Sequence, residues 1–530
     1  IASSGTKKFL ASLSDDQKKD SNLIGQFGVG FYSAFMVADK IEVVSRKAGE
    51  DKAYKWSSTG ESSYEITSAE RESQGSDVIL HLKEDSYEYA NRWELENLVK
   101  KYSDYIAYPI YLEYDQTHYE NEKDENGNDK KTVEHKNEQI NSASALWRRS
   151  KSELKDEDYK EFYKNNYYDS EDSLFYIHTK AEGATEYTTL FYIPAKAPFD
   201  MNYADYKPGV KLYIKRVYIT DDDKTLLPTY LRFVRGIIDS EDLPLNVSRE
   251  ILQENKIMSA IRNGSVKKLL SEFQKISDNN PELYQKFIKE YNRPLKEGLS
   301  SDYANRDALL ERVRFKSSER DGYVSLKEYK DAMKDGQKAI YYIAGGKEEV
   351  LRNSPLIAAY RNKGYEVLLM SDDIDDFVIS SVPSYKDVPL KAINKSGALD
   401  DMESEEEKAK AEEKKPIAEK IQKALGDKVK EVRISTRLVD SPSAVVVDDN
   451  DPTVQMQRMM KQMGGEVPEI KPILEINAEN PIVIKANDES DEEVVKLYGE
   501  YLLDQALLQE GLMPSDPTAF AKALAVLLAK

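Results

Sequence analysis

Strand-like and helix-like spacings of apolar residues alternate along the 530-residue chain, and the points where the period changes divide it into segments. In residues 1–114 a glycine-rich turn leads into a helix-like run from Gly30 to Ala38. Strand-like runs at Lys40–Arg46 and Val78–Leu82 follow, the pattern of an α/β domain. Residues 115–138 are almost wholly polar and carry the turn pair Asn126-Gly127, which predicts a flexible charged linker. From 139 to 398, strands such as Thr188–Ile193 and Leu212–Ile219 mix with helical stretches such as Ala260–Ile276, and a smaller α/β unit follows around Ala339–Ala344 and Glu366–Met370. Residues 399–416 are charged and helix-prone, a second linker that leaves 417–530 as a last domain. No repeat of 20–50 residues breaks this order.

The last domain ends in two amphipathic patterns. Val494, Leu497, Tyr498, Tyr501 and Leu502 share one helical face, and after the Asp516-Pro517 start signal Phe520, Ala523, Leu524, Leu527 and Leu528 repeat the spacing. Such a hairpin either fills its own domain's core or builds a four-helix dimer interface with a second copy. Upstream, Met456, Met459, Met460 and Met463 occupy one face of a short helix that Gly464-Gly465 ends. Methionine adapts to varied apolar surfaces, so this stripe is a candidate contact for other polypeptides, with ordinary core as the competing reading. Trp147, Phe199 and Met201 are further candidates of the same kind, and burial competes for each of them.

Composition narrows the chemistry. Lysine and arginine number 76 against 96 acidic residues, a net charge of −20 whose field repels nucleic acid and anionic lipid. There is no cysteine, so disulfides, thiol nucleophiles and cysteine-ligated metals are excluded. The four histidines (His81, His118, His135 and His178) have no metal-ligand spacing. No apolar run nears the roughly 20 residues that span a bilayer. The chain starts at Ile1, already inside a patterned segment, and is read as one whose start, with any targeting peptide, has been cut away.

The strongest local signal is Gly25-Gln26-Phe27-Gly28-Val29-Gly30-Phe31, a glycine-rich turn opening into an apolar helix. Glycines let backbone approach a polyphosphate, and free N–H groups at a helix start favour anionic oxygens. Alone, the run fits a tight surface turn equally well. It also lacks the Gly-Lys-Ser/Thr of a P-loop and the G-x-G-x-x-G order of a dinucleotide fold, so a different ATP fold is indicated.

At this point the motifs resemble a family. Ser4–Lys7 (SGTK), Ile24–Ala38 (IGQFGVGFYSAFMVA), Gly75–Leu82 (GSDVILHL), Ala197–Met201 (APFDM), Lys211–Thr220 (KLYIKRVYIT), Asp239–Gln253 (DSEDLPLNVSREILQ) and Leu502–Leu508 (LLDQALL) are similar, in order, to the ninety-kilodalton heat-shock chaperones of bacterial type. The resemblance implies an α/β multi-domain chain. Residues 1–114 would be the C-terminal half of a Bergerat-type (GHKL) α/β sandwich ATPase domain. Residues 139–398 would be a middle domain, ribosomal protein S5 domain 2-like with helical and small α/β parts, and 417–530 an α+β C-terminal dimerisation domain. It implies an ATP-dependent, homodimeric, cytoplasmic chaperone acting on unfolded or partly folded clients, with co-chaperones, and without nucleic acid or membrane. A nucleotide-independent holdase or scaffold is the alternative.

Site residues follow from the same resemblance. Gly25, Gln26, Gly28, Val29, Gly30 and Phe31 are implied to hold ATP phosphates, and Ser76 supplies the hydroxyl near adenine where threonine is usual. Arg249, at a helix start after Pro244 and Asn246, would reach the γ-phosphate as an arginine finger, with Gln253 one turn on; from the residues alone it reads as a surface arginine paired with Glu250 or Asp242. The water-activating carboxylate, the magnesium ligand and the adenine-reading aspartate would lie upstream of Ile1. These 530 residues are therefore expected to bind ATP poorly and not hydrolyse it, although the intact protein is an ATPase.

Overall fold

The computed structural model describes residues 30–61, 63–123, 129–221, 223–243, 255–399, 403–462, 470–514 and 516–529. The run read as a helix over Gly30–Ala38 is a 3-10 helix, Gly30–Met36, that hands over to a strand at Ala38. Phe31 sets its ring edge-on to Phe35 and Trp56 at 6.5 and 5.7 Å, which fixes this turn against the neighbouring sheet. That sheet is antiparallel, in the order β3-β2-β1-β4, from β1 (Ala38–Arg46), β2 (Ala53–Ser58), β3 (Glu65–Ala69) and β4 (Gly75–Leu82). Helix α1 (Arg92–Tyr102) follows, capped by the Asn91 side chain, which accepts from the Trp93 N–H.

The polar stretch expected to be a flexible linker is instead a two-stranded antiparallel ladder, β5 (Tyr111–Lys123) with β6 (Asp129–Gln139). Charge complementarity across the ladder explains the difference. Asp115 faces His135 at 3.0 Å, the Asn137 amide donates to Glu113 at 2.9 Å, and the Tyr114 hydroxyl donates to Glu138 at 2.8 Å. Polarity alone predicts a coil; pairing depends on which polar residue faces which.

Next comes a five-stranded sheet covered on both faces. Its order is β10-β9-β11-β8-β7, from β7 (Phe175–Ala181), β8 (Tyr187–Ile193), β9 (Gly209–Ile214), β10 (Val217–Thr220) and β11 (Arg235–Ser240). Along β8, Leu190 and Tyr192 pack with Trp147 and the aromatics of α2 (Asp156–Tyr167), while Phe191 and Ile193 join the core under α3 (Lys256–Asn279) and α4 (Pro281–Ser301). A strand buried on both sides reads as continuous apolar sequence for this reason. Gly236 in β11 is required where it stands: with φ at +148°, a Cβ there would lie 2.2 Å from the Leu190 carbonyl oxygen.

A second five-stranded sheet, order β12-β14-β13-β16-β15, contains β12 (Lys316–Ser317), β13 (Ile340–Ala344), β14 (Val367–Met370), β15 (Ser384–Tyr385) and β16 (Val388–Ala392). It is tied to α4 through Lys296, a buried ammonium 2.7 Å from both Asp372 and Asp375. The charged run expected to be helical contains α5 (Glu405–Glu413), opened by a reciprocal Ser404–Glu407 capping box.

In the last region the sheet β17-β19-β18, from β17 (Glu431–Ile434), β18 (Ser443–Val446) and β19 (Ile473–Ile476), packs with α6 (Lys415–Leu425), α8 (Pro481–Asp488) and α9 (Glu492–Gln509). Two more helices, α7 (Val454–Gln462) and α10 (Pro517–Leu528), complete it. The region is not sealed off from what precedes it. Tyr341 and Leu369 of the second sheet share one apolar cluster with Leu438, Ala444, Val446 and Ile473.

Candidate functional site

Of the residues expected to handle nucleotide, Gly25, Gln26, Gly28, Val29, Arg249 and Gln253 lie outside the described residues. Gly30 opens the 3-10 helix, and no described residue lies within 4 Å of where a Cβ would stand. Ser76 lies on β4, its hydroxyl 2.7 Å from that of Ser45 on β1, so the strand pairing orients it.

The two ends that frame Arg249 are described. At the end of β11, the buried Asp239 carboxylate accepts from the Trp147 indole N–H at 2.8 Å, from Arg148 Nε at 2.6 Å and from the Arg216 N–H at 3.2 Å. Arg148 also binds Glu241. Ser240 Oγ accepts from the N–H groups of Asp242 and Leu243 at 3.3 and 3.2 Å. On the far side, Asn255 caps α3 by accepting from the Ile257 N–H. The segment is therefore held at its two ends by side chains, and Asp239 and Arg148 are anchors that sequence reasoning missed. The only trace of them in the sequence was an acidic residue inside an apolar strand, with the Trp147-Arg148 pair 92 residues upstream of it.

This geometry corrects one expectation outright. Trp147 is not available to a client: it is buried at 1% exposure among Tyr105, Phe162 and Tyr213. Met201 is likewise buried, packed in the core beneath α3 and α4. Phe199, by contrast, is 89% exposed and meets Tyr203 edge-on at 6.4 Å.

The methionine face of α7 is half open. Met456 is half-buried and Met459 and Met460 are exposed, while Met463 lies outside the described residues. Met456 and Met460 line a groove of about 710 Å³ with Ile379, Val382 and Leu390 on its opposite wall. The groove runs between the second sheet and the last region and carries Asp376 and Lys395 among its polar groups.

At the chain's end the two helical stripes part company. Val494, Tyr498 and Leu502 are buried in their own domain's core against Ile421, Leu425 and Leu474, so they are not free to meet a second copy. Leu497 and Tyr501 are half-buried, and Tyr501 stacks on Phe520 of α10 at 6.0 Å with the rings 6° from parallel. Phe520, Leu524 and Leu527 are half-buried, while Val526 is exposed and Leu528 is 78% exposed. The outward apolar surface of the hairpin is therefore that of α10.

Among the described residues no group of three or more His, Asp or Glu stands together to hold a metal ion, and no helix is long and apolar enough to cross a membrane. Mixed sheets joined through shared cores, with a groove partly lined by methionine and an outward apolar terminal helix, define a multi-domain α/β protein with exposed apolar surface. The family described as Hsp90 protein matches residues 113–530. Chaperone protein HtpG of Treponema denticola is 54% identical over 544 residues, 99% of this chain and 84% of that protein. The proteins of the same name from Wolinella succinogenes and Treponema pallidum are 53% and 52% identical, each across 100% of this chain and 84% and 85% of their own lengths. The chain belongs to the Hsp90 family, in its bacterial form.

Proposed function

We propose that this protein is an ATP-dependent molecular chaperone that works as a homodimeric clamp on unfolded or partly folded polypeptides. The observation that carries the reading is identity above 50% across essentially the whole chain to bacterial proteins named as chaperones. Bound ATP with magnesium supplies the phosphate whose transfer to water drives the cycle. In this reading Gly25 to Phe31 cradle the phosphates, Ser76 orients the base from β4, and Arg249 meets the γ-phosphate when the domains close. The residues that flank the stretch around Arg249, at Asp239 and Asn255, are held by side-chain hydrogen bonds. Gln253, one turn after Arg249, supports it from the same face. That the 530 residues alone bind ATP poorly and do not turn it over is part of the same proposal.

Phe199 and the α7 methionines are the surfaces that meet clients, and α10, through Phe520, Leu524, Leu527 and Leu528, joins the two copies. Arg249→Ala in the full-length protein tests the catalytic assignment. Turnover drops by about tenfold or more while nucleotide affinity stays within about twofold, because the arginine acts on charge that develops only during transfer. Unchanged turnover returns Arg249 to a surface ion pair.

A further inference from the structure

Beside β9 and β11, a cavity of about 300 Å³ opens between residues 201–210 and the turn at 223–234. Its wall is mostly apolar, through Met201, Val210, Leu226 and Leu227. Two polar atoms on that wall stand out. Asp223 Oδ2 and Tyr206 Oη are both buried, and neither has a hydrogen-bond partner among the described residues.

The surroundings explain why Oδ2 is left over. The other Asp223 oxygen accepts from the Thr225 N–H at 2.8 Å and its hydroxyl at 2.7 Å, which locks the carboxyl in place. Arg232, also on the wall, is fully engaged elsewhere: it donates to the Met201 carbonyl, to Asn202 and to Glu297. A buried acceptor without a donor costs about 1–3 kcal/mol, and native structures keep few of them without a reason. Apolar walls with a few convergent polar groups are the form of a ligand pocket, and this volume lies at the small end of that range.

We propose that this cavity is a subsite for a lysine side chain of a bound unfolded polypeptide, the ammonium donating to Asp223 Oδ2 and Tyr206 Oη. The choice of occupant rests on complementarity. The unsatisfied carboxyl oxygen accepts, so the guest must bring a donor, and a charged donor makes the stronger bond to a carboxylate. A lysine stem buries four methylenes along apolar wall and ends in a compact three-donor head, which suits a narrow cavity better than the planar fork of arginine. Exposed Phe199 and Tyr203, the latter also lining the cavity, offer stacking surface to aromatic neighbours in the same segment.

This inference rests on the chaperone reading, and the test separates the two. A fluorescein-labelled peptide with the core Phe-Leu-Lys-Leu-Phe, and its twin with norleucine for lysine, are titrated against the full-length protein by anisotropy. The lysine peptide binds about tenfold tighter, the order expected for a hydrogen bond to a charged group. Asp223→Asn keeps the Thr225 bonds through its amide oxygen, turns a donor toward the cavity and erases the preference. Tyr206→Phe reduces it, and Ala204→Trp at the exposed rim weakens both peptides, with thermal unfolding confirming that each variant is folded. Equal affinity of the two peptides, or a preference that survives Asp223→Asn, overturns the subsite. Suppression of aggregation of an unfolded protein is measured in parallel: if it is present with no lysine preference, only the subsite fails, and if it is absent, the chaperone reading fails with it.

Discussion

Glu475 shows how much one residue's state can depend on its partners. Burial in β19 acts to raise its carboxyl, yet Arg437 and Arg433, at 2.7 and 2.5 Å, hold it down at about 2. Because its pKa in the folded protein lies below the ordinary value of 4.5, the group contributes stability that is present above about pH 4.5 and lost as pH falls toward 2. Amide exchange of β19 should therefore lose on the order of 3 kcal/mol of protection between pH 5 and 2. Glu475→Gln should flatten that dependence; an unaltered slope would place the titrating group elsewhere. None of this was legible in sequence, because the partners lie 42 and 38 residues away. The same distance problem hid Trp147, whose indole bond to Asp239 spans 92 residues. Phe199, for which burial was the competing reading, is instead exposed.

Elements were easier to read than residues, wherever periodicity spoke for itself. The strands Lys40–Arg46 and Val78–Leu82 and the two terminal helices stand where their spacing put them, although β4 buries no side chain and α10 buries only Ala523. The ladder at β5 and β6 was missed because cross-strand charge pairing has no periodic signature. The terminal hairpin was seen, but not the division of labour within it: α9 serves its own core, and α10 faces outward. Deleting everything from Val494 onward would accordingly remove core residues as well as interface. The cleaner variant is Leu524→Glu with Leu528→Glu, which should turn a dimer into a monomer in sedimentation while shifting Tm by no more than a few degrees. An unchanged mass would remove α10 from the interface.

For the whole molecule, the seams between units matter most. Lys296 on α4 bridges to Asp372 and Asp375, which follow β14 of the second sheet; Lys296 and Asp375 are buried, while Asp372 is partly exposed. Removing one partner of a buried pair strands the other, so Lys296→Met should cost about 3–5 kcal/mol in denaturant unfolding. A loss well under 1 kcal/mol would mean that water reaches the pair. The second charged run was legible from the chain as helix-prone, and it contains α5. The joint beyond the second run was not, since nothing in a sequence announces that Tyr341 and Val446 share one interior.

That shared interior bears on how movement travels. Arg437, buried at the foot of the last region, donates to the Ile393 carbonyl just beyond β16, and Thr453 bonds Asp376 across the same boundary. Packed interiors resist continuous deformation, so a displacement of the last region has little slack to be absorbed at this boundary. The second sheet and the last region are thus joined by one packed interior and by two hydrogen bonds across their boundary.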